Sequence, residues 1–317
     1  MGSDLSGAQL KNAKLRGANL AGADLSRADL TEADLTGADL SGADLYQAKL
    51  AGSKLNGANL SHCDATSADF RDCEMLATNL YNAKLSDVNL KAAKLNGANF
   101  VECDLSGADL SNSDLVGANF HMANLNRANL YRSKLFGANL NKAKLRNVNL
   151  RSADMTATKI RDADLQEADM LEAKLFKADL SNSILSSSNL ESAVMRASTL
   201  SGANLSNAIL SAANLSNSRL TRADFSQASF EESNLWASRV SGSIFTETNM
   251  KAANLLATGL NKKFALSEFP NIAHSDLTKW DDGQFNRQRT HISKSHAKTI
   301  ETEVAKRSFF SRVFGRR

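Results

Sequence analysis

Apolar residues recur at every fifth position of this chain: Leu5, Leu10, Leu15, Leu20, Leu25 and onward to Leu260 without insertion or deletion. Of these 52 central positions, written i, 38 are Leu, and the rest are Phe, Met, Ile160, Val240 and Ala65. Position i−2 is Ala in 32 repeats and otherwise Ser, Cys, Thr or Val, whereas i−1, i+1 and i+2 are mostly polar or Gly. A period of five cannot be a helical stripe, because it drifts by about 140° per repeat and would wrap apolar residues around the helix. Nor is it a straight strand: i−2 and i share a face, but the next i−2 lies an odd number of residues on and points the other way. The chain must turn a corner once per pentapeptide, which predicts a closed coil of short sides whose coils stack by parallel pairing at about 4.8 Å. The predicted core is a continuous column of i and i−2 side chains, Leu25, Phe70, Phe100, Phe120 and Leu125 among them.

Charge gives the number of sides. At every twentieth residue the i−1 position reads Lys14, Asp34, Lys54, Glu74, Lys94, Asp114, Lys134, Asp154, Lys174, alternating in sign throughout. Opposite charges attract across neighbouring coils, so twenty residues make one turn of four sides. Asn19, Asp39, Asn59, Asn79, Asn99, Asn119 and Asn139 repeat at the same interval, as do Gly17, Gly37, Gly57, Ala77, Gly97, Gly117 and Gly137. The Gly ladder predicts one corner that wants positive φ or no side chain.

Repeats such as Ala23-Asp24-Leu25-Ser26-Arg27 and Ala58-Asn59-Leu60-Ser61-His62 resemble the pentapeptide-repeat family, with consensus A(D/N)LXX, over residues 3–260. The resemblance implies a right-handed quadrilateral β-helix. The expected architecture is thus an all-β solenoid, a right-handed quadrilateral parallel β-helix of about 13 four-sided coils and about 60 Å, with a partly helical C-terminal non-repeat tail. Residues 1–260 form the rod, 261–284 a cap or linker, and 285–317 a basic tail, helical or disordered. Phe264, Leu266, Phe269, Ile272, Leu277 and Trp280 are suited to covering the end of the core, as solenoids require. No corresponding N-terminal cap precedes Ser3-Asp4-Leu5, which points to a partner docked there, self-association through the exposed rod end, or missing upstream sequence.

Composition narrows the chemistry. In 317 residues there are three Cys, one Pro and 6% aromatic residues, and no apolar run is long enough to span a membrane. With no signal peptide and so few cysteines, a reducing, cytoplasmic setting is expected. Cys63, Cys73 and Cys103 all fall at inward i−2 positions, too far apart for a disulfide or shared zinc, and read as small buried hydrophobes. His62 and His121 point outward about three coils apart. No phosphate loop, nucleophile elbow or HExxH motif occurs, so neither catalysis nor a cofactor is expected.

What remains is surface. Asp4, Asp24, Asp44 and Asp64 stack on one side, read as consensus residues bonding nearby backbone rather than as a cation site. Some members of the resembled family that protect against quinolones are thought to mimic DNA and bind gyrase, which demands a strongly acidic rod. Summed by side, residues 1–260 carry −5, −3, +4 and +2, and the alternating ladder cancels the field locally; mimicry is weakened and direct nucleic-acid binding is not expected. Outward apolar residues gather on the side of the ladder, at Leu76, Val116, Phe136, Phe176, Trp236 and Leu256, the candidate partner-binding positions. The tail from residue 261 carries net +6; Arg307, Phe310, Arg312, Phe314, Arg316 and Arg317 could meet anionic membrane or an acidic protein surface. The leading expectation is a non-enzymatic scaffold binding protein through its faces and ends. A DNA-mimic inhibitor or protector of gyrase, and a peripheral membrane adaptor, are the alternatives.

Overall fold

The computed structural model describes residues 2–261, His274 and residues 278–280. Within them every pentapeptide up to that of Leu255 contributes a parallel β-bridge residue at i−1, and the bridges from Asp4–Asp24 to Asn234–Asn254 each join residues twenty apart. The bridges form four columns, and the resulting β-helical solenoid has four faces, named here for the first central residue of each: Leu5, Leu10, Leu15 and Leu20. No rung is longer than its single bridge residue, because a corner follows at once.

The backbone hydrogen bonds explain the consensus. The N–H of i donates to the following coil, as in Leu25 to Asp44 at 2.7 Å, and that of i−1 donates to the preceding coil, as in Asp44 to Ala23 at 2.9 Å. The i+2 N–H also reaches the following coil, as in Gly22 to Ser41 at 2.8 Å, and the next i−2 N–H closes the turn, as in Ala28 to Leu25 at 3.0 Å. One N–H per repeat is left, that of i+1. The Asp or Asn at i−1 accepts it: Ser26 N–H donates to Asp24 Oδ1 at 2.9 Å and Thr31 N–H to Asp29 Oδ1 at 3.0 Å. In repeats with Asp or Asn at i−1, five donors thus find five acceptors, which is why these residues lead there. Where that residue is Glu74, Lys144 or Lys159, an Asn one coil earlier substitutes: Asn56, Asn126 and Asn141 accept from Leu76, Arg146 and Arg161 at 2.8–2.9 Å.

Every i+2 residue from Gly7 to Ala257 has positive φ, between 52° and 72°. The sequence pointed to one such corner, marked by glycine; all four corners are left-handed, and most carry a residue with a Cβ. Bridges on either side of each turn over-determine the backbone, so Asn, Glu, Arg and Ala accept a conformation that costs each roughly 1 kcal/mol.

Leu25, Phe70, Phe100, Phe120 and Leu125 are fully buried, as are the i and i−2 positions throughout most of the rod. Aromatic side chains stack along the axis: Phe100 and Phe120 lie 4.7 Å apart at 2°, and Phe225 and Phe245 lie 5.2 Å apart at 13°. Most inward hydroxyls donate to carbonyls, either three residues back (Ser133 to Leu130, 2.8 Å) or twenty-three back (Thr78 to Leu55, 2.9 Å), while the buried Ser238 hydroxyl has no such partner among the described residues. In the first coil Leu5, Leu10, Leu15 and Leu20 are only partly buried.

At the other end, Lys279 bridges Asn254, exchanging bonds of 2.8 Å with Leu255 and 2.9 Å with Ala253. Thr278 donates to the Met250 carbonyl at 2.8 Å, and Trp280 is 8% exposed. Thr278-Lys279-Trp280 therefore imitates one more side on the Leu15 face, at an offset of 25 residues. The other cap candidates, Phe264, Leu266, Phe269, Ile272 and Leu277, lie outside the described residues, as does the tail.

Candidate interaction faces

The Leu15 face carries the alternating ladder in one bridge column from Lys14 to Lys174. Lys94 meets Glu74 at 3.0 Å and Lys134 meets Asp114 at 3.5 Å, both solvated. The bond from Lys94 holds the Glu74 carboxyl below its ordinary pKa. Three further ion pairs follow a rule that the ladder does not reveal. Arginine at i+1 reaches the i−1 Asp eighteen residues on, pairing Arg151 with Asp169 at 3.2 Å and Arg161 with Asp179 at 2.6 Å.

Exposed apolar side chains concentrate on the same face. Among the described residues, five of the ten large exposed hydrophobics stand there: Leu76, Val116, Phe136, Val194 and Trp236. Phe136 is the most exposed, at 51%, while Phe176 and Leu256 are half-buried, Phe176 beneath the Lys177 ammonium at 5.1 Å. From the sixth coil onward they form doublets on adjacent coils, Val116 with Phe136, Phe176 with Val194, and Trp236 with Leu256. Successive doublets are three coils apart, or about 14 Å. Val194 was missed because it occupies i−1, where the repeat normally places a polar residue.

The Leu20 face is polar and internally bonded. Asn59 donates to Asp39 at 3.1 Å, Asn79 to Asn59 at 3.0 Å and Asn99 to Asn79 at 3.0 Å. On the Leu5 face, Asp24, Asp44 and Asp64 each accept the N–H two residues on, at 2.9–3.1 Å, consistent with a local backbone role for the stack.

Models of pentapeptide repeats match residues 3–42 and, in overlapping copies, 113–246, and a model of the pentapeptide repeat region matches residues 44–120. The chain belongs to the pentapeptide repeat family. No curated protein matches it in sequence. Among solved structures it is similar to HetL, a pentapeptide repeat protein involved in heterocyst differentiation regulation from the cyanobacterium Nostoc sp. strain PCC 7120, at 29% identity over 76% of this chain and 91% of that one, with a TM-score of 0.32. Full-length QnrB1, a plasmid-mediated fluoroquinolone resistance protein, matches at 18% identity over 66% and 90%, with a TM-score of 0.23. A pentapeptide repeat protein of the Arabidopsis thaliana thylakoid lumen matches at 19% over 45% and 83%, with a TM-score of 0.20.

The interior of this pentapeptide repeat rod encloses its three thiols. Cys63, Cys73 and Cys103 are buried and unpaired with one another. Cys73 donates to the Leu50 carbonyl at 3.0 Å and Cys103 to the Leu80 carbonyl at 2.8 Å. Burial raises all three thiols, Cys73 to about 11 and Cys103 to about 12. His62 packs edge-on to Tyr81 and bonds Asn82 at 3.1 Å, both on the surface. Among the described residues no group of His, Cys, Asp or Glu is arranged to hold a metal, and no helix is long and apolar enough to cross a membrane. Arg307, Phe310, Arg312, Phe314, Arg316 and Arg317 lie outside the described residues.

Proposed function

We propose that this right-handed quadrilateral rod of about 13 coils is a non-enzymatic scaffold that binds protein along its Leu15 face, with Phe136, Phe176, Trp236 and Leu256 as principal contacts. The observation that carries the reading is the concentration of half the large exposed hydrophobics on one face of four. Aromatic side chains held by a rigid backbone lose little entropy on binding, and the flanking Lys and Asp residues provide a polar rim. The doublets about 14 Å apart suit an extended partner with its own regular apolar spacing. Gyrase inhibition by mimicry of DNA has less support, since the Leu15 face that presents these side chains is net basic.

A photo-crosslinking residue replacing Phe136 or Trp236 tests the proposal in cells, with Tyr46 on the Leu5 face as control. The same protein should be trapped from positions 136 and 236 and not from 46. Phe136→Asp with Trp236→Asp should abolish its co-purification. Equal trapping from all three positions, or co-purification unaffected by the double substitution, would overturn the assignment of the face.

A further inference from the structure

Charge on the rod is segregated along its axis in a way that totals by face conceal. Between Asp114 and Asp154 there is no acidic residue and there are seven basic ones, among them Arg127, Lys144 and Arg146 on the Leu5 face. The same face carries Asp24, Asp44 and Asp64 in consecutive coils toward the N-terminus, in one bridge column with Lys84, Asp104, Asn124, Lys144 and Asp164. Asp44 and Lys144 are both exposed, and neither has an ion-pair partner among the described residues.

We propose that two copies of the chain associate side by side and antiparallel through the Leu5 face, with the two-fold axis between the coils of Lys84 and Asp104. Such an axis inverts position along the rod but preserves position across the face, so i−1 meets i−1, i+1 meets i+1 and i+2 meets i+2. Lys84 then faces Asp104 of the second copy, and Asp44 faces Lys144. Tyr46, 38% exposed, lies against Arg146, an arrangement suited to a cation–π contact, and Arg27 faces Glu167. Each contact occurs twice by symmetry. One like-charge meeting remains, Asp24 with Asp164, and Arg146 already holds Asp164 through a hydrogen bond of 2.5 Å. Small residues at the centre, Ser86 opposite Ser106 and Gly107 opposite Asp87, let the flat faces approach.

The register is selected by repulsion as well as attraction. Displacing the axis by one coil toward the C-terminus sets Lys84 against Lys144 and Asp64 against Asp164. Displacing it the other way sets Asp44 against Asp104. The alternative occupant of the basic segment, a polyanion, leaves the matched acidic segment on the same face without a role. Ten overlapping coils of a face about 10 Å wide bury only a few hundred Å² per copy, which places the pair among weak, salt-sensitive associations.

Self-association of the full chain by analytical ultracentrifugation at low and high salt, combined with small-angle scattering, tests this independently of any partner on the Leu15 face. The expected species is a dimer of overlapping rods, longer than one rod by only the three coils, about 14 Å, that the off-centre axis leaves overhanging, and dissociated by salt. Lys144→Glu alone and Asp44→Lys alone should each weaken the dimer at least about tenfold, since each sets like charges at two places. The double variant, in which residues 44 and 144 exchange sign, should recover it. Both positions are exposed, and the wild-type circular dichroism spectrum with cooperative unfolding verifies the fold, since Asp44→Lys also gives up the bond that Asp44 accepts from the Tyr46 N–H at 2.9 Å. A monomer at every concentration, an end-to-end dimer of doubled length, or a dimer indifferent to the single substitutions or not recovered by the double one would overturn the proposal.

Discussion

Phe120→Ala probes how much of the rod's stability lies in its axial column. Phe120 is fully buried and stacked on Phe100 at 4.7 Å and 2°, one coil away on the Leu20 face. Truncating a buried Phe removes its transfer free energy and leaves a cavity that a hydrogen-bonded solenoid cannot collapse, a loss of about 3–5 kcal/mol. Stacking adds a coupling between Phe100 and Phe120 of about 0.5–1.5 kcal/mol, so the double Ala variant should lose less than the sum of the singles. Urea titration followed by circular dichroism gives the global change, read as a shift in midpoint at constant slope. Because each coil touches only its neighbours, faster amide exchange should concentrate in the coils containing residues 100, 120 and 140. A loss below about 1 kcal/mol, or strict additivity in the cycle, would refute the packed column as the source of stability.

Leu125→Asp buries a carboxyl whose folded pKa must lie above the unfolded value near about 4; the damage should be least below that pH and grow as pH rises, measurable as a widening gap in thermal midpoint from wild type. Asp29, Asp34 and Asp39 are held below the ordinary carboxylate range by bonds from the hydroxyls and then the N–H groups of Thr31, Thr36 and Ser41, so the stability they contribute should be present above that range and lost as pH falls through their folded values, seen in an acid titration of the far-ultraviolet signal. A thiol reagent at neutral pH should leave Cys63, Cys73 and Cys103 unmodified in the native rod and label all three in denaturant, judged by intact mass. Lys94→Ala should change stability by less than about 0.5 kcal/mol, because its pair with Glu74 is solvated; a larger loss by urea titration would mean the ladder is more than surface decoration.

The twenty-residue coil, its four faces and its inward positions were legible in the sequence, because a solenoid repeats one short-range rule and needs no distant contact to specify it. Leu25 and Leu125 could be placed inside from period alone, and the Lys14 to Lys174 ladder fixed the pitch because opposite charges on successive coils favour that stacking over others. The tertiary structure decided what periodicity leaves open. Glycine at 17, 37 and 57 pointed to a single left-handed corner, whereas flanking bridges impose that conformation at all four, on Glu32 and Arg27 as firmly as on Gly37. Aspartate at i−1 was legible as a consensus residue bonding nearby backbone, but only the hydrogen-bond geometry shows that the group it accepts is the one N–H that the bridges and turns leave over. The closure by Trp280 depends on a chain that leaves the register after Leu260 and returns five residues out of phase onto Leu255, a long-range contact that no local pattern encodes. The basic run between Asp114 and Asp154 is visible in the sequence as composition; it acquires meaning only once the coil sets Lys144 and Asp44 on one face.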